Sequence, residues 1–357
     1  MTQLKDAPTS TNVPSAMDSP AQRLSSWQLL CRSRVNKICI GVILGYVIVG
    51  IVSLLPAPRH VWGLNKIPGI RSIYSFDDLI NFKYNTEQDY APPAWTYTNQ
   101  TGTHFSPAAW FGLDIFGRSI FWRLLYGART ALLITILSSL LVMIIGAALG
   151  IIAGYYGGAV DDLITWVYAV VGTVPWLLLV IAVSYVLQEN AELDDSLTPS
   201  PWAILRWFHE VLPTDLIIII LALGLTDWIG LCRLVRGEVI KLRDSDMVAA
   251  GRALGLSEPR ILFRHILPNV SHLIIISFTL GAVGYLQVEV VLAFLGIGVT
   301  SKPSWGRMVD DAKLSLMRGV WWEVAAATGA IFIICMALTL LGDSLRDALD
   351  PKLRGRD

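Results

Sequence analysis

Six stretches of the chain are apolar on every face: 38–55, 130–153, 163–187, 215–231, 273–295 and 324–341. A helix rises about 1.5 Å per residue and a bilayer core is about 30 Å thick, so roughly 20 apolar residues make one crossing. The fourth and sixth stretches fall a little short of that. All six are too long and too uniformly apolar for strands, and a helix at the surface of a soluble protein would carry a polar face. The pattern predicts an all-α membrane protein with six transmembrane helices. Gly146 and Gly150 lie in the second stretch and Gly154 just after it, where small residues let membrane helices approach closely.

Between the fourth and fifth stretches the chain turns polar without becoming a linker. Within 235–254, Val239 and Leu242, then Met247, Ala250 and Leu254, fall at helical spacing. Gly255 can end that helix, because glycine takes the left-handed conformation of a helix terminus without steric cost. Ser257 is placed to cap a second helix, and Pro259 sits in its first turn, where a missing N–H costs little. Ile261, Leu262 and Ile266 continue it to Pro268. The expected product is a helix–glycine–helix elbow between helices four and five. Its tip is Leu254, Gly255 and Leu256, with Arg252, Arg260 and Arg264 around it. An apolar tip in a basic collar suits docking into a cleft of another protein. It equally suits an amphipathic loop resting on anionic lipid.

Basic flanks set the orientation. Arg23, Arg32, Arg34 and Lys37 precede the first stretch, and Arg233, Arg236, Lys241, Arg243, Arg252, Arg260 and Arg264 fill the interval with the elbow. Arg346, Lys352, Arg354 and Arg356 follow the last stretch. Six crossings put all three groups on one side, and the positive-inside bias makes that side cytoplasmic, with both termini. The reading divides the chain into a partly disordered cytoplasmic tail (1–37), a first helix (38–55) and an extracytoplasmic segment (56–129). A core of five helices (130–341) follows, with its cytoplasmic loop at 232–272, and then a cytoplasmic tail (342–357). Within 56–129 the run 75–84 looks helical. Trp62, Trp95, Trp110 and Trp122, with Trp321 and Trp322, fit an interfacial aromatic belt or a packed outer subdomain.

Composition agrees with a polytopic membrane protein. The 357 residues are 54% hydrophobic and 16% charged, with a mean hydropathy of +0.55. The formal net charge is zero, so no basic field favours nucleic acid. Cys31, Cys39, Cys232 and Cys335 lie in or beside apolar stretches, which argues against a disulfide framework, and no Cys/His spacing resembles a metal site. The segment before Arg23 is rich in Ser, Thr, Pro and Ala and reads as disordered rather than as a signal peptide, since the first apolar run begins only near Ile38.

Ionisable side chains inside a crossing are costly and face a cavity or a partner. Glu289 is one such group, either binding a substrate amine or pairing with Arg123 or Arg129. Asp227 is another, expected to pair with Arg233 or Arg236. Gln287, Tyr285 and Trp176 complete a possible translocation path, and Pro175 can kink the third helix. No Gly-x-x-x-x-Gly-Lys-Ser/Thr loop is present, so ATP and magnesium would bind partner chains. Nucleophile-elbow and His-Glu-x-x-His motifs are absent, which argues against an intramembrane enzyme. An ion-coupled secondary transporter would want more buried acids or an inverted repeat.

The elbow resembles the conserved cytoplasmic loop of ABC importer permeases, in which Glu-Ala-Ala is followed at fixed spacing by Gly, Ile and Leu-Pro. Ala250, Gly255, Leu267 and Pro268 match. Ala249 stands where Glu is usual, Gly251 where the second Ala is usual and His265 where Ile is usual, with Asp246 supplying an acid nearby. Residues 252–255 and 263–269 match the branch that carries dipeptides, oligopeptides and nickel. So do Gly112-Leu-Asp-Ile-Phe-Gly-Arg-Ser, Arg123-Leu-Leu-Tyr-Gly-Ala-Arg, Gly154-Tyr-Tyr-Gly-Gly, Ala293-Phe-Leu-Gly-Ile-Gly, Pro303-Ser-Trp-Gly and Leu341-Gly-Asp-Ser-Leu-Arg-Asp-Ala-Leu-Asp-Pro. The segment from Pro56 to Trp110 is longer than is usual there. The resemblance implies a "C"-type permease subunit in the inner membrane, carrying peptides or, alternatively, nickel chelates or other small solutes. It implies two ATP-binding cassette subunits, a sister permease chain and an extracytoplasmic solute-binding protein as partners. The ATPase contact would involve Asp246, Ala250, Gly251, Arg252, Ala253, Leu254, Gly255, Leu256, Arg260, Arg264 and Pro268.

Overall fold

A computed structural model describes residues 33–52, 110–192 and 212–349, which are mostly helical with no strand among them. The elements are α1 (Arg34–Val52), α2 (Ile120–Tyr156), α3 (Gly158–Val171), α4 (Trp176–Glu192), α5 (Thr214–Thr226) and α6 (Trp228–Arg243). They are followed by α7 (Asp246–Ala253), α8 (Glu258–Ile261), a π-helical turn (Leu262–Ile266), α9 (Leu267–Phe294), α10 (Trp305–Leu316) and α11 (Trp322–Leu349). The expected N-terminal tail, the helical run 75–84, Trp62, Trp95, Cys31 and the last tail residues lie outside the described residues.

Among the described residues five spans are long and apolar enough to cross a membrane: Arg34–Val52, Ile120–Tyr156, Thr214–Arg243, Glu258–Phe294 and Trp322–Ala348. The expected third crossing is instead two helices, Gly158–Val171 and Trp176–Glu189, bent by 88°. Pro175 cannot donate to the preceding turn, and the Thr173 hydroxyl donates to the Val170 carbonyl at 2.7 Å, closing α3 before α4 begins. Counting the bent pair as one gives six. The other spans run further than apolarity alone indicated. The fourth reaches Arg243 because its basic residues find partners on neighbouring helices. Arg236 forks onto Asp161 of α3 at 2.5 and 2.6 Å, Arg233 lies 4.7 Å from the Tyr168 ring centre, and Arg243 donates to the Gly154 carbonyl at 3.4 Å.

The long helix α2 is the spine, packing against α1, α3, α5, α6 and α9. Its glycines explain how. A Cβ on Gly146, Gly150 or Gly154 would fall 2.9, 2.7 or 2.8 Å from the carbonyl oxygens of Trp228, Cys232 and Arg236. The three therefore form a stripe along which the α6 backbone lies in direct contact with α2.

Two further expectations change. The polar helix read over 235–254 is broken at Asp244–Ser245, where the Ser245 hydroxyl donates to the Leu242 carbonyl at 2.6 Å. The second arm of the elbow does not stop at Pro268. It passes through the π-helical turn directly into α9, with Pro268 in the first turn. A proline there removes one N–H, and the Asn269 side-chain amide donates to the His265 carbonyl at 2.6 Å.

Candidate functional site

The elbow is anchored from below and open above. Val248, Ile261 and Ile266 are completely buried, in a cluster with Tyr155, Val235, Val239 and Val270 from the ends of α2, α6 and α9. Helix α7 ends in a full Schellman cap. Gly255 has φ 72°, its N–H donates to the Arg252 carbonyl at 2.9 Å, and the Leu256 N–H donates to the Gly251 carbonyl at 3.1 Å. Ser257 occupies the N-cap position of α8 and Pro259 lies in its first turn, as the spacing predicted.

This geometry sorts the expected contact residues. Asp246, Ala250, Arg252, Ala253, Leu254, Gly255, Arg260, Arg264 and Pro268 are exposed. Gly251 is buried and Leu256 half-buried, the leucine packing back onto the anchor cluster. They support the turn rather than form its tip, because the cap turns the residue after Gly255 back toward the helix. Leu254 is 81% exposed. Phe263, which the sequence reading passed over, is 71% exposed. Its signal was its phase: it falls between Ile261 and Ile266, both inward, and so must point out.

The turn is also tied to α2 by polar contacts. The Tyr155 hydroxyl donates to the Glu258 carboxylate. The Arg252 guanidinium lies 5.5 Å from the Tyr155 ring centre and 3.9 Å from the same carboxylate. Arg252 thus belongs to a small α2–α7–α8 contact as well as to the exposed collar.

At the far end of α2, some 30 residues and about 48 Å of helix away, Arg123 is 2% exposed. It donates to Asp114 at 2.8 Å, to Glu323 at 2.8 Å and to Asp311 at 2.6 Å. Arg118 joins Asp114 at 2.7 Å, and Arg307 reaches Asp311 at 3.4 Å. Beside this network Trp305 is buried, its indole N–H donating to the Leu124 carbonyl at 2.9 Å, with Gly127 beneath the ring. Trp122 is buried too, whereas Trp110 and Trp321 are exposed, so only part of the expected aromatic belt faces outward.

The intramembrane residues do not pair as expected. Arg123 is taken up by three other carboxylates, and Arg129 donates to the Tyr126 hydroxyl at 3.0 Å. Glu289 is buried, and its carboxyl faces the Ser304 side chain and the Gly306 N–H at the start of α10, where a helix N-terminus offers free donors. Asp227 pairs with neither Arg233 nor Arg236. It accepts a hydrogen bond of 2.7 Å from the Tyr285 hydroxyl. Gln287 is exposed, and Trp176 is half-buried against the cluster of Leu216, Ile219 and Tyr285. The four expected path residues are therefore not brought together: Tyr285 joins Asp227, Glu289 joins α10, and Gln287 stands on an outer face. Among the described residues no group of His, Cys, Asp or Glu is arranged to hold a metal.

Comparison with known proteins places this architecture. Residues 146–355, which include the elbow, match the family described as "Binding-protein-dependent transport system inner membrane component". The chain is 33% identical over 257 residues to the dipeptide transport system permease protein DppC of Bacillus subtilis (strain 168), covering 71% of this chain and 72% of that one. It is 30% identical over 349 residues to the oligopeptide transport system permease protein OppC of the same organism, covering 97% and 96%. It is 33% identical over 250 residues to the glutathione transport system permease protein GsiD of Pectobacterium atrosepticum, covering 70% and 74%. With matches of this extent running through the elbow and the helices that carry it, the chain belongs to the family of inner-membrane components of binding-protein-dependent transport systems.

Proposed function

We propose that this chain is a membrane-spanning permease subunit of an ATP-driven importer of di- and oligopeptides or peptide-like solutes. The observation that carries the reading is the elbow: a rigidly capped turn, anchored by buried Val248, Ile261 and Ile266, that holds Leu254 and Phe263 out where nothing among the described residues covers them. Anchored apolar side chains in a basic collar fit a cleft on a separate protein better than a lipid surface, because anchoring transmits force and lipid binding has no use for it. The relatives named for dipeptides, oligopeptides and glutathione support peptides as cargo.

On this reading the elbow and both termini are cytoplasmic and the Arg123 network lies at the outer face. Two ATP-binding cassette subunits, which hold ATP and magnesium, dock on the elbows of this chain and of a sister permease. A solute-binding protein delivers cargo outside. Closure of the ATPase subunits displaces the elbow, and the α2–α6 pair carries the displacement across the membrane as a nearly rigid body, shifting the balance between two states.

The test is to purify the tagged chain gently from its own membrane and identify what accompanies it. Chains with ATP-binding motifs, a second permease and peptide uptake by the reconstituted complex are expected. A chain recovered alone in several mild detergents, or a cysteine at position 254 labelled by a membrane-impermeant thiol reagent from outside intact cells, would overturn the reading.

A further inference from the structure

One polar site inside the membrane region remains without an assignment. Asp227 is the fourteenth of the thirty residues in the Thr214–Arg243 span, within a turn of its midpoint. It also stands at the only break in that span, ending α5 and starting α6. Its carboxylate is partly exposed, and its hydrogen-bond partner is the neutral phenol of Tyr285 at 2.7 Å. No basic side chain of the described residues pairs with it. Arg236 is held by Asp161 and Arg233 by the Tyr168 ring, both toward the elbow end of α6.

Two features make this a place for a ligand. A carboxylate facing hydrocarbon is costly, so its exposed side must meet water, a partner or cargo. The surface beside it is also clear. Gly230, one turn along α6 and on the same face, has open space where a side chain would be.

Resting on the reading of peptide import, we propose that Asp227, held in place by Tyr285, receives the cationic amino group of the cargo within the membrane region. A peptide presents an ammonium group at its N-terminus. A carboxylate with one phenol donor retains oxygen lone pairs to accept N–H bonds from it. Tyr285 fixes the carboxylate without neutralising it, so the charge stays available to each passing cargo. Glu289, by contrast, is closed off behind Ser304 and Gly306 and has no role in this contact.

The experiment uses the complete transport system in proteoliposomes, with Cys31, Cys39, Cys232 and Cys335 replaced by serine and an Asp227→Cys substitution. Uptake of labelled trialanine is measured before and after treatment with an anionic or a cationic methanethiosulfonate. Trialanine uptake is expected to fall roughly tenfold in the cysteine variant, the scale of one lost charge-assisted hydrogen bond. It should recover with the anionic reagent, stay low with the cationic one, and saturating trialanine should slow the labelling. Asp227→Asn, which keeps the shape without the charge, should assemble at the parental level and show the same loss. Equal effects of both reagents, a cysteine that never reacts, or undiminished uptake by Asp227→Asn would each overturn the proposal. Loss of the sister permease from the Asp227→Asn complex would assign the carboxylate to a subunit contact instead. If the cysteine-free parent takes up no trialanine while assembled with its ATPase subunits, the peptide-import reading itself fails.

Discussion

Gly150 of α2 stands so close to Cys232 of α6 that a Cβ on the glycine would lie 2.7 Å from the cysteine's carbonyl oxygen and 2.9 Å from the Val235 side chain. Gly146 and Gly154 meet Trp228 and Arg236 in the same way one turn to either side. Because the obstacle is backbone, no rotamer change relieves it. The two helices are therefore locked in one register over two turns, which lets a push at one end of α2 arrive at the other.

Replacing Gly150 with alanine is expected to force α2 and α6 apart and destabilise the folded chain by about 1–3 kcal/mol, the usual cost of overpacking a tight contact. Gly45→Ala on α1, where nothing lies within 4 Å, is the control and should be neutral. The measurement is the midpoint of heat-induced aggregation of the purified complex in detergent. Equal midpoints for the two variants would remove the case for a locked register.

The elbow offers a test that separates backbone conformation from bulk. A Cβ on Gly255 meets nothing within 4 Å, yet its φ of 72° is a conformation that L side chains rarely adopt. Gly255→Val is expected to cost about 1–2 kcal/mol through strain alone, distorting the turn that holds Leu254 and lowering recovery of the ATPase subunits while membrane insertion persists. Gly255→Asn, which tolerates the left-handed region, should stay near wild type. Transport at the normal rate by Gly255→Val would count against any role for the turn in coupling.

The elbow was legible because its determinants are local: a glycine, an N-capping serine, an early proline and the phase of Ile261 and Ile266. The same locality misled at Asp227. Arg233 and Arg236 are its nearest basic residues in sequence, but positions six and nine along a helix lie on other faces. Its actual partner, Tyr285, is 58 residues away. Arg123 was opaque for the same reason, since Glu323 lies 200 residues further on. At Pro268 the residue type was read correctly and its consequence was not. A proline predicts a stop, and only the neighbouring π-helical turn and the Asn269 cap show how the helix continues through it.

Arg123 should be among the least tolerant positions in the chain. Arg123→Met leaves buried Glu323 without its guanidinium partner and takes one cation from Asp114 and Asp311, which keep only Arg118 and Arg307. Removing one partner of a buried ion pair typically costs about 3–5 kcal/mol, enough to abolish accumulation of the protein in the membrane. Arg123→Lys restores the charge but not the planar fork that serves three carboxylates at once, and should fall between. Adding Glu323→Gln to Arg123→Met should recover part of the loss. Immunoblots of membrane fractions at two growth temperatures would read all three, and wild-type levels of Arg123→Met would refute the assigned role.

The polar contact between Tyr155 and Glu258 makes the most specific prediction about coupling. Tyr155 lies at the end of the locked α2–α6 pair, and Glu258 begins the second arm of the elbow, so on the proposed coupling their bond joins the part that is pushed to the part that moves. The aromatic ring is buried in the anchor cluster, and Tyr155→Phe keeps that packing while removing only the hydroxyl. The fold and the assembly with ATPase subunits should therefore survive. What should change is the relation between the two activities. ATP hydrolysis stimulated by the loaded binding protein should fall severalfold relative to hydrolysis without it, with transport falling in proportion. Glu258→Gln, which can still accept the hydroxyl's hydrogen bond but lacks the charge that faces Arg252, should give a smaller defect. A purely structural bond would lower complex yield and leave the stimulation ratio per complex intact. Measuring yield and stimulation on the same preparation separates the two, and an unchanged ratio in Tyr155→Phe would show that force reaches α2 by packing alone.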